Sequence, residues 1–124
     1  MVISEREIRG VVILDLQGRL VMEDGVDTFL ERMNLLIRQA RKHILLNFDA
    51  VTYLDSAGVG AIASKYMSAR KKDATVKLLN LRRKSHNVLN TTRLLTVLES
   101  FESETDAIES FHQEEDDEVN PIFT

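Results

Sequence analysis

The sequence predicts an α/β domain: a mixed, mostly parallel sheet of about five strands, opened by an N-terminal antiparallel hairpin and packed with about four helices. Three observations carry this. Residues 11–16 (VVILDL) and 44–48 (ILLNF) are nearly unbroken apolar runs, the composition of strands covered on both faces. Between them the apolar residues recur at spacings of three and four, the period of an amphipathic helix. Strand and helix signals then alternate along the chain, which implies parallel pairing with right-handed crossovers. At 124 residues and 44% hydrophobic composition, the chain is long enough for one core and too short for two.

Residues 2–8 are a mixed segment that Arg9-Gly10 can turn back onto the first apolar run, making an edge strand and a hairpin. Gly18 ends the second strand. Val26, Phe29, Leu30, Met33, Leu36, Ile37 and Ala40 form the first helical stripe, with Asp24 as its expected N-cap and Asp27 suited to the positive end of the dipole. Ile44–Phe48 is the third strand. Val59, Ile62, Ala63, Tyr66 and Met67 form the second helical stripe, which ends near Arg70-Lys71-Lys72. Thr75 to Leu81 alternates as a strand. Ser85 is the expected cap of a third helix carrying Val88, Leu89 and Thr92, and Thr96 to Phe101 is expected as a short last strand. Ser103 with Asp106 resembles a capping box for a fourth helix bearing Ala107, Ile108 and Phe111. The domain is therefore expected over residues 1–112, followed by an acidic, disordered tail over 113–124.

Composition excludes several classes. The chain has no cysteine, which removes disulfides and thiolate metal sites. His43, His86 and His112 stand far apart with no metal-ligand spacing, so no metal is expected. The first residues carry charges where a signal peptide needs an apolar stretch, and no apolar run reaches membrane-spanning length; a cytoplasmic protein without membrane association is expected. Charge is segregated: residues 63–93 hold nine Lys/Arg and one acid, whereas residues 94–124 hold ten acids and no Lys or Arg. The basic stretch has only Tyr66 as an interleaved aromatic and no nucleic-acid module signature, so it reads as solvated faces rather than a nucleic-acid surface.

Residues 51–62, VTYLDSAGVGAI, concentrate an acid, a hydroxyl and two glycines where a helix is about to start. Three chemistries compete for them. Gly58 to Ala63 satisfies the dinucleotide pattern G-x-G-x-x-G/A, but no acid stands about twenty residues on, and six residues separate Phe48 from Asp55. Asp49 follows a strand as a phosphoacceptor aspartate would, yet Asp15 stands alone where that chemistry needs a magnesium-holding pair. The third is a serine presented at a helix start. Asp55 and Ser56 are both good N-caps, so simple capping accounts for them. It leaves unexplained Gly58 and Gly60, which would weaken the first turn by about 1 kcal/mol each relative to alanine. They would leave Ser56 open to another backbone. A phosphate there would meet helix amides and a favourable dipole. G-x-S-x-G is absent and no histidine is placed as a base, so a catalytic serine does not fit.

DSAGVGAI, preceded by VTYL and an apolar strand, resembles the phosphorylation loop of bacterial anti-sigma factor antagonists, the STAS-domain family, whose usual wording is Asp-Ser-Ser/Ala-Gly-Leu/Val-Gly. Gly18-Arg19-Leu20 resembles the family's Gly-Arg-Leu/Ile turn, and Asn87-Val88-Leu89 with Leu94-Leu95 resembles its third helix and turn. The likeness covers about residues 1–112. It departs at Val21, where the family often has an acid, and at Asn47, where it tends to have Asp.

The resemblance implies that Ser56 is the phosphoacceptor. It places partner contacts on Asp55, Ser56, Ala57, Gly58, Val59 and Gly60, with Arg19, Glu23 and Asp24 from the preceding turn. It implies a non-enzymatic, cofactor-free partner switch, monomeric or weakly dimeric. Unphosphorylated, the switch binds an anti-sigma factor that is also an ATP-dependent serine kinase, and so releases a sigma factor; a metal-dependent serine phosphatase restores it. Two alternatives remain: a stressosome-type STAS scaffold, and a STAS module that binds a small ligand such as a nucleotide or lipid.

Overall fold

The computed structural model describes residues 1–119, with side chains described through Gln113. The expected hairpin comprises β1 (Val2–Ile8) and β2 (Val11–Leu20), antiparallel from Ile8↔Val11 to Val2↔Gln17. Arg9 and Gly10 turn it with φ of 51° and 78°. α1 (Val26–Arg38) crosses to β3 (His43–Leu54), and α2 (Ser56–Lys71) to β4 (Thr75–Leu79). α3 (Arg83–Thr91) and a 3-10 turn at Leu94–Thr96 lead to the two-residue β5 (Ser100–Phe101), and α4 (Glu104–Val119) follows. The five strands lie in the order β1-β2-β3-β4-β5, all parallel after the first pair.

The apolar runs are continuous because both sheet faces are covered. Alternate residues of a strand point to opposite faces. Val12, Leu14 and Leu16 join Ile44, Leu46, Phe48, Val76 and Leu78 under α1, α2 and α3, against Phe29, Met33, Leu36, Ile62 and Leu89. Val11, Ile13, Leu45 and Leu79 face the other way, onto Ala107, Ile108 and Phe111 of α4. On that second face the strands turn polar. Arg6 grips Asp15 at 2.6 and 2.9 Å and Glu104 of α4 at 2.6 Å, and Asn47 donates to Asp15 at 2.8 Å. Lys77, counted among the solvated basic residues, is instead 1% exposed, with its ammonium 2.9 Å from Ser110 Oγ and 4.7 Å from the Phe111 ring centre.

Several element ends differ from expectation. The N-cap of α1 is Gly25, not Asp24: its φ of 102° suits glycine, and a Cβ there would stand 2.1 Å from the Arg19 carbonyl oxygen. Asp24 instead pairs with the Met1 amine at 2.9 Å. α3 starts two residues before Ser85, with extended Arg82 as its cap residue, and Ser85 is buried inside the first turn. The stretch from Thr96 is mostly a 3-10 turn and loop, leaving only Ser100 and Phe101 in the sheet. Ser103 behaves as expected, its Oγ accepting the Asp106 N–H at 3.2 Å. The backbone of α4 continues helically to Val119, so residues 113–119 are not the irregular chain expected of the tail; residues 120–124 lie outside the described residues. β3 runs to Leu54, six residues past the apolar core that marked it, and leads directly into α2.

Candidate functional site

The site is built where two strand ends meet a helix start. β2 and β3 run side by side to their last pairs, Arg19↔Tyr53 and Leu20↔Leu54. The chain leaves β2 through a tight turn closed by Val21 and Asp24, whose N–H and C=O groups bond reciprocally at 2.9 and 3.1 Å. It leaves β3 through Asp55, the N-cap of α2, in extended conformation. One carboxylate ties the two exits together: Asp55 Oδ1 accepts the Gly58 N–H at 2.8 Å and Oδ2 accepts the Met22 N–H at 3.1 Å. These backbone hydrogen bonds, that from Gly58 first, hold the Asp55 carboxyl below the usual carboxylate range.

The two glycines of the loop do different work. Gly58 is buried, and a Cβ on it would stand 2.2 Å from the Leu20 carbonyl oxygen and 2.7 Å from a Leu54 methyl. It exists for contact within the chain, letting α2 start against the end of β2, and does not expose Ser56 as the sequence suggested. Gly25 meets the same strand at the Arg19 carbonyl, so the two glycines pinch Arg19-Leu20 between helix starts. Gly60 faces open space: nothing lies within 4 Å of a Cβ placed there.

The candidate partner-binding residues divide accordingly. Ser56, at the first position of α2, is exposed, as are Gly60, Arg19, Glu23 and Asp24, with Asp55 and Ala57 half-buried. Gly58 and Val59 are buried, and Val59 belongs to the main core. Two exposed apolar side chains beside these residues were not singled out from sequence. Met22 is 73% exposed in the turn that Asp55 holds, and Tyr53 is 55% exposed opposite Arg19. A methionine standing before Glu23-Asp24 and a tyrosine ending a strand were the available signals.

The competing chemistries fare differently. The gap between Phe48 and Asp55 does not separate strand from motif, because β3 fills it. However, Gly58 and Gly60 lie within α2 rather than in a phosphate-cradling loop, and Asp55 already takes the Gly58 amide. Asp49 is exposed and holds Arg82 through its carbonyl (2.5 Å) and carboxylate (3.4 Å). The fold brings His43 and His112 rings to 6.0 Å, yet among the described residues no group of three His, Cys, Asp or Glu is placed to hold a metal. No helix among them is long and apolar enough to cross a membrane.

With the antiparallel hairpin, the three parallel crossovers and the capped serine in place, the comparison with known proteins is direct. The chain belongs to the STAS domain family, whose model matches residues 3–107. Among characterised relatives it is 23% identical over 100 residues to the anti-sigma F factor antagonist of Paenibacillus polymyxa, spanning 81% of this chain and 86% of that protein. Its fold is similar to that of a Thermotoga maritima protein proposed to be an anti-sigma factor antagonist (TM-score 0.81, 21% identity, 87% of this chain and 92% of that one). It is also similar to the Bacillus cell-fate determinant SpoIIAA in its phosphorylated form (TM-score 0.70, 21% identity, 89% and 99%).

Proposed function

We propose that this protein is an anti-sigma factor antagonist working as a phosphorylation-controlled partner switch, a ligand and substrate rather than an enzyme. The observation that carries the reading is the exposed Ser56 hydroxyl at the first position of α2, next to a β2–α1 turn that Asp55 holds in place. Unphosphorylated, the surface formed by Ser56, Ala57, Gly60, Met22, Glu23, Asp24, Arg19 and Tyr53 receives an anti-sigma factor that is also a serine kinase. That partner phosphorylates Ser56, and a metal-dependent serine phosphatase removes the mark. Phosphorylation adds about −1.5 to −2 charges and three acceptor oxygens. Because Ser56 is exposed and Asp55 already accepts the Gly58 amide at the helix start, that charge faces a partner that would have to desolvate it.

The experiment is affinity capture from a lysate with the parent, Ser56→Ala and Ser56→Asp proteins as baits, with mass spectrometry of what each retains. The parent and Ser56→Ala are expected to retain one kinase-fold protein, which Ser56→Asp loses. The captured kinase should label the parent with ATP and leave Ser56→Ala unlabelled. Labelling at Ser64 or Ser68, or equal capture by Ser56→Asp, overturns the reading.

A further inference from the structure

The far end of α2 carries a surface that the partner switch does not use. Ser56 opens the helix, and about 22 Å of helix axis separates it from Lys71 at the other end. Beside that far half, an open groove of about 510 Å³ lies between α2 and the 3-10 turn. Tyr66 and Met67 line it from α2, and Leu94 and Val97 from the turn and the residue after it. Met67 is 58% and Val97 51% exposed, an open apolar pair of the kind that marks an interaction site. Arg70 and Lys71 complete the lining, which includes no residue from 53 to 60.

This is also the basic end of the domain. β3 and β4 begin there together, His43 paired with Thr75, and the Lys42 ammonium reaches the Lys72 carbonyl at 2.7 Å. Arg38, Lys42, Arg70, Lys71 and Lys72 form no ion pair with a described residue. α4 runs toward the same end. It starts beside Arg6, which holds Glu104 at 2.6 Å, and by Phe111 it has reached His43, with ring centres 5.2 Å apart. The helix backbone continues to Val119, about 12 Å further along the axis. The sequence of that extension is Glu114-Glu115-Asp116-Asp117-Glu118, and beyond Val119 come Pro121, Ile122 and Phe123. Five acids followed by two large apolar residues complement a groove of apolar walls and unpaired cations.

The groove of the same chain is out of reach. α4 covers one face of the sheet, and α2 belongs to the other. A segment leaving α4 would cross two layer spacings of about 10 Å each. Phe123 stands four residues past Val119, a span of at most about 14 Å. We infer that the groove receives the C-terminal segment of a second copy of this chain, with Ile122 and Phe123 seated against Met67 and Val97. The acids of residues 114–118 then pair with Arg70, Lys71 and Lys72. Exchanged both ways, two such contacts close a two-fold dimer.

The test is sedimentation of the full chain over a concentration series, with a synthetic peptide of residues 114–124 as a separate probe. A monomer–dimer equilibrium weakened by salt is expected. Ile122→Ser/Phe123→Ser and, separately, Met67→Glu should each weaken it about tenfold or more while melting as the parent does. Mixed together, these two variants should regain association, because the pair still holds one intact segment and one intact groove. Arg70→Gln/Lys71→Gln should flatten the salt dependence. The peptide should shift the amides of residues 63–71 and 94–97 in the parent and leave Met67→Glu unshifted. None of these readouts depends on Ser56. A chain that stays monomeric across the series overturns the inference and leaves the groove to another protein. A dimer that survives Ile122→Ser/Phe123→Ser, or peptide shifts centred elsewhere, overturns it as well.

Discussion

Asp55 Oδ2 accepts the backbone N–H of Met22 at 3.1 Å, across thirty-three residues of sequence. With its other oxygen on the Gly58 N–H, this side chain is both the N-cap of α2 and the clasp of the β2–α1 turn. Asp55→Ala should therefore speed hydrogen exchange at both amides and lower the Tm by a few degrees. Asp55→Asn, which keeps one carbonyl oxygen, should protect Gly58 but leave Met22 more labile. Exchange measured by NMR separates the two roles; unchanged protection at Met22 in Asp55→Ala would show that the turn holds itself.

The glycine pair offers a contrast of sign. Gly58→Ala places a methyl 2.2 Å from the backbone oxygen of Leu20, which cannot swing aside as a side chain can. The expected destabilisation is about 3 kcal/mol, at the upper end for overpacking. Gly60→Ala meets open space within a helix and should stabilise by up to about 1 kcal/mol. Denaturant melts of both variants check this. On the proposed function, Gly60→Ala should also weaken partner capture, because the added methyl stands in the interface.

Ser56→Asp should fold as the parent does, within about 1 kcal/mol. An acid near a helix N-terminus is favoured by about 0.3–1 kcal/mol, and repulsion from Asp55 opposes it. The same substitution should weaken partner binding more than a hundredfold, since burying that charge unpaired costs about 3 kcal/mol or more and each 1.4 kcal/mol is a factor of ten. Thermal melting and a binding isotherm on one preparation test both halves.

Arg6 and Asp15 contribute to the pH dependence of stability. The Arg6 guanidinium, through its hydrogen bonds, holds the Asp15 carboxyl below the ordinary range despite opposing desolvation, and Asn47 adds a further bond. A carboxyl depressed on folding contributes stability that is present above its unfolded value, about 3.9. That stability is lost as pH falls through the lower folded value. Arg6→Gln should therefore raise the Asp15 pKa and lower the Tm at neutral pH, and the gap to the parent should narrow below about pH 4. Carboxyl NMR titration and melts from pH 7 to 3 give both readouts. Both side chains are about one-third exposed (38% and 32%), which keeps the effect small.

Truncation after His112 tests the domain boundary. Ala107, Ile108 and Phe111, the buried anchors of α4, all precede the cut. A loss of only a few degrees in Tm is expected, whereas truncation before Ala107, which removes all three anchors, should strip the second face of the sheet and unfold the chain. A large loss on cutting after His112 would mean that residues beyond it dock onto the domain.

Features that depend on neighbours along the chain are legible in the residues alone. The unbroken apolar run at residues 11–14 and the recurrence of Phe29, Met33 and Leu36 report a two-faced sheet and a helix stripe, because side-chain direction follows local periodicity. The Ser103–Asp106 cap was legible because its partners stand three residues apart. Features that depend on distant segments meeting are settled by the folded chain. Gly58 suggests an opening beside Ser56, but the Leu20 carbonyl, thirty-eight residues away, stands against it. Val59 takes its place in the core, and the Met22 backbone is held by Asp55. Ser85 looks like a cap because serine caps helices, but α3 starts two residues earlier, after extended Arg82, and Ser85 is buried inside its first turn. Helical and strand periods are written into each segment, whereas the contact that gives a residue its role belongs to the partner across the fold.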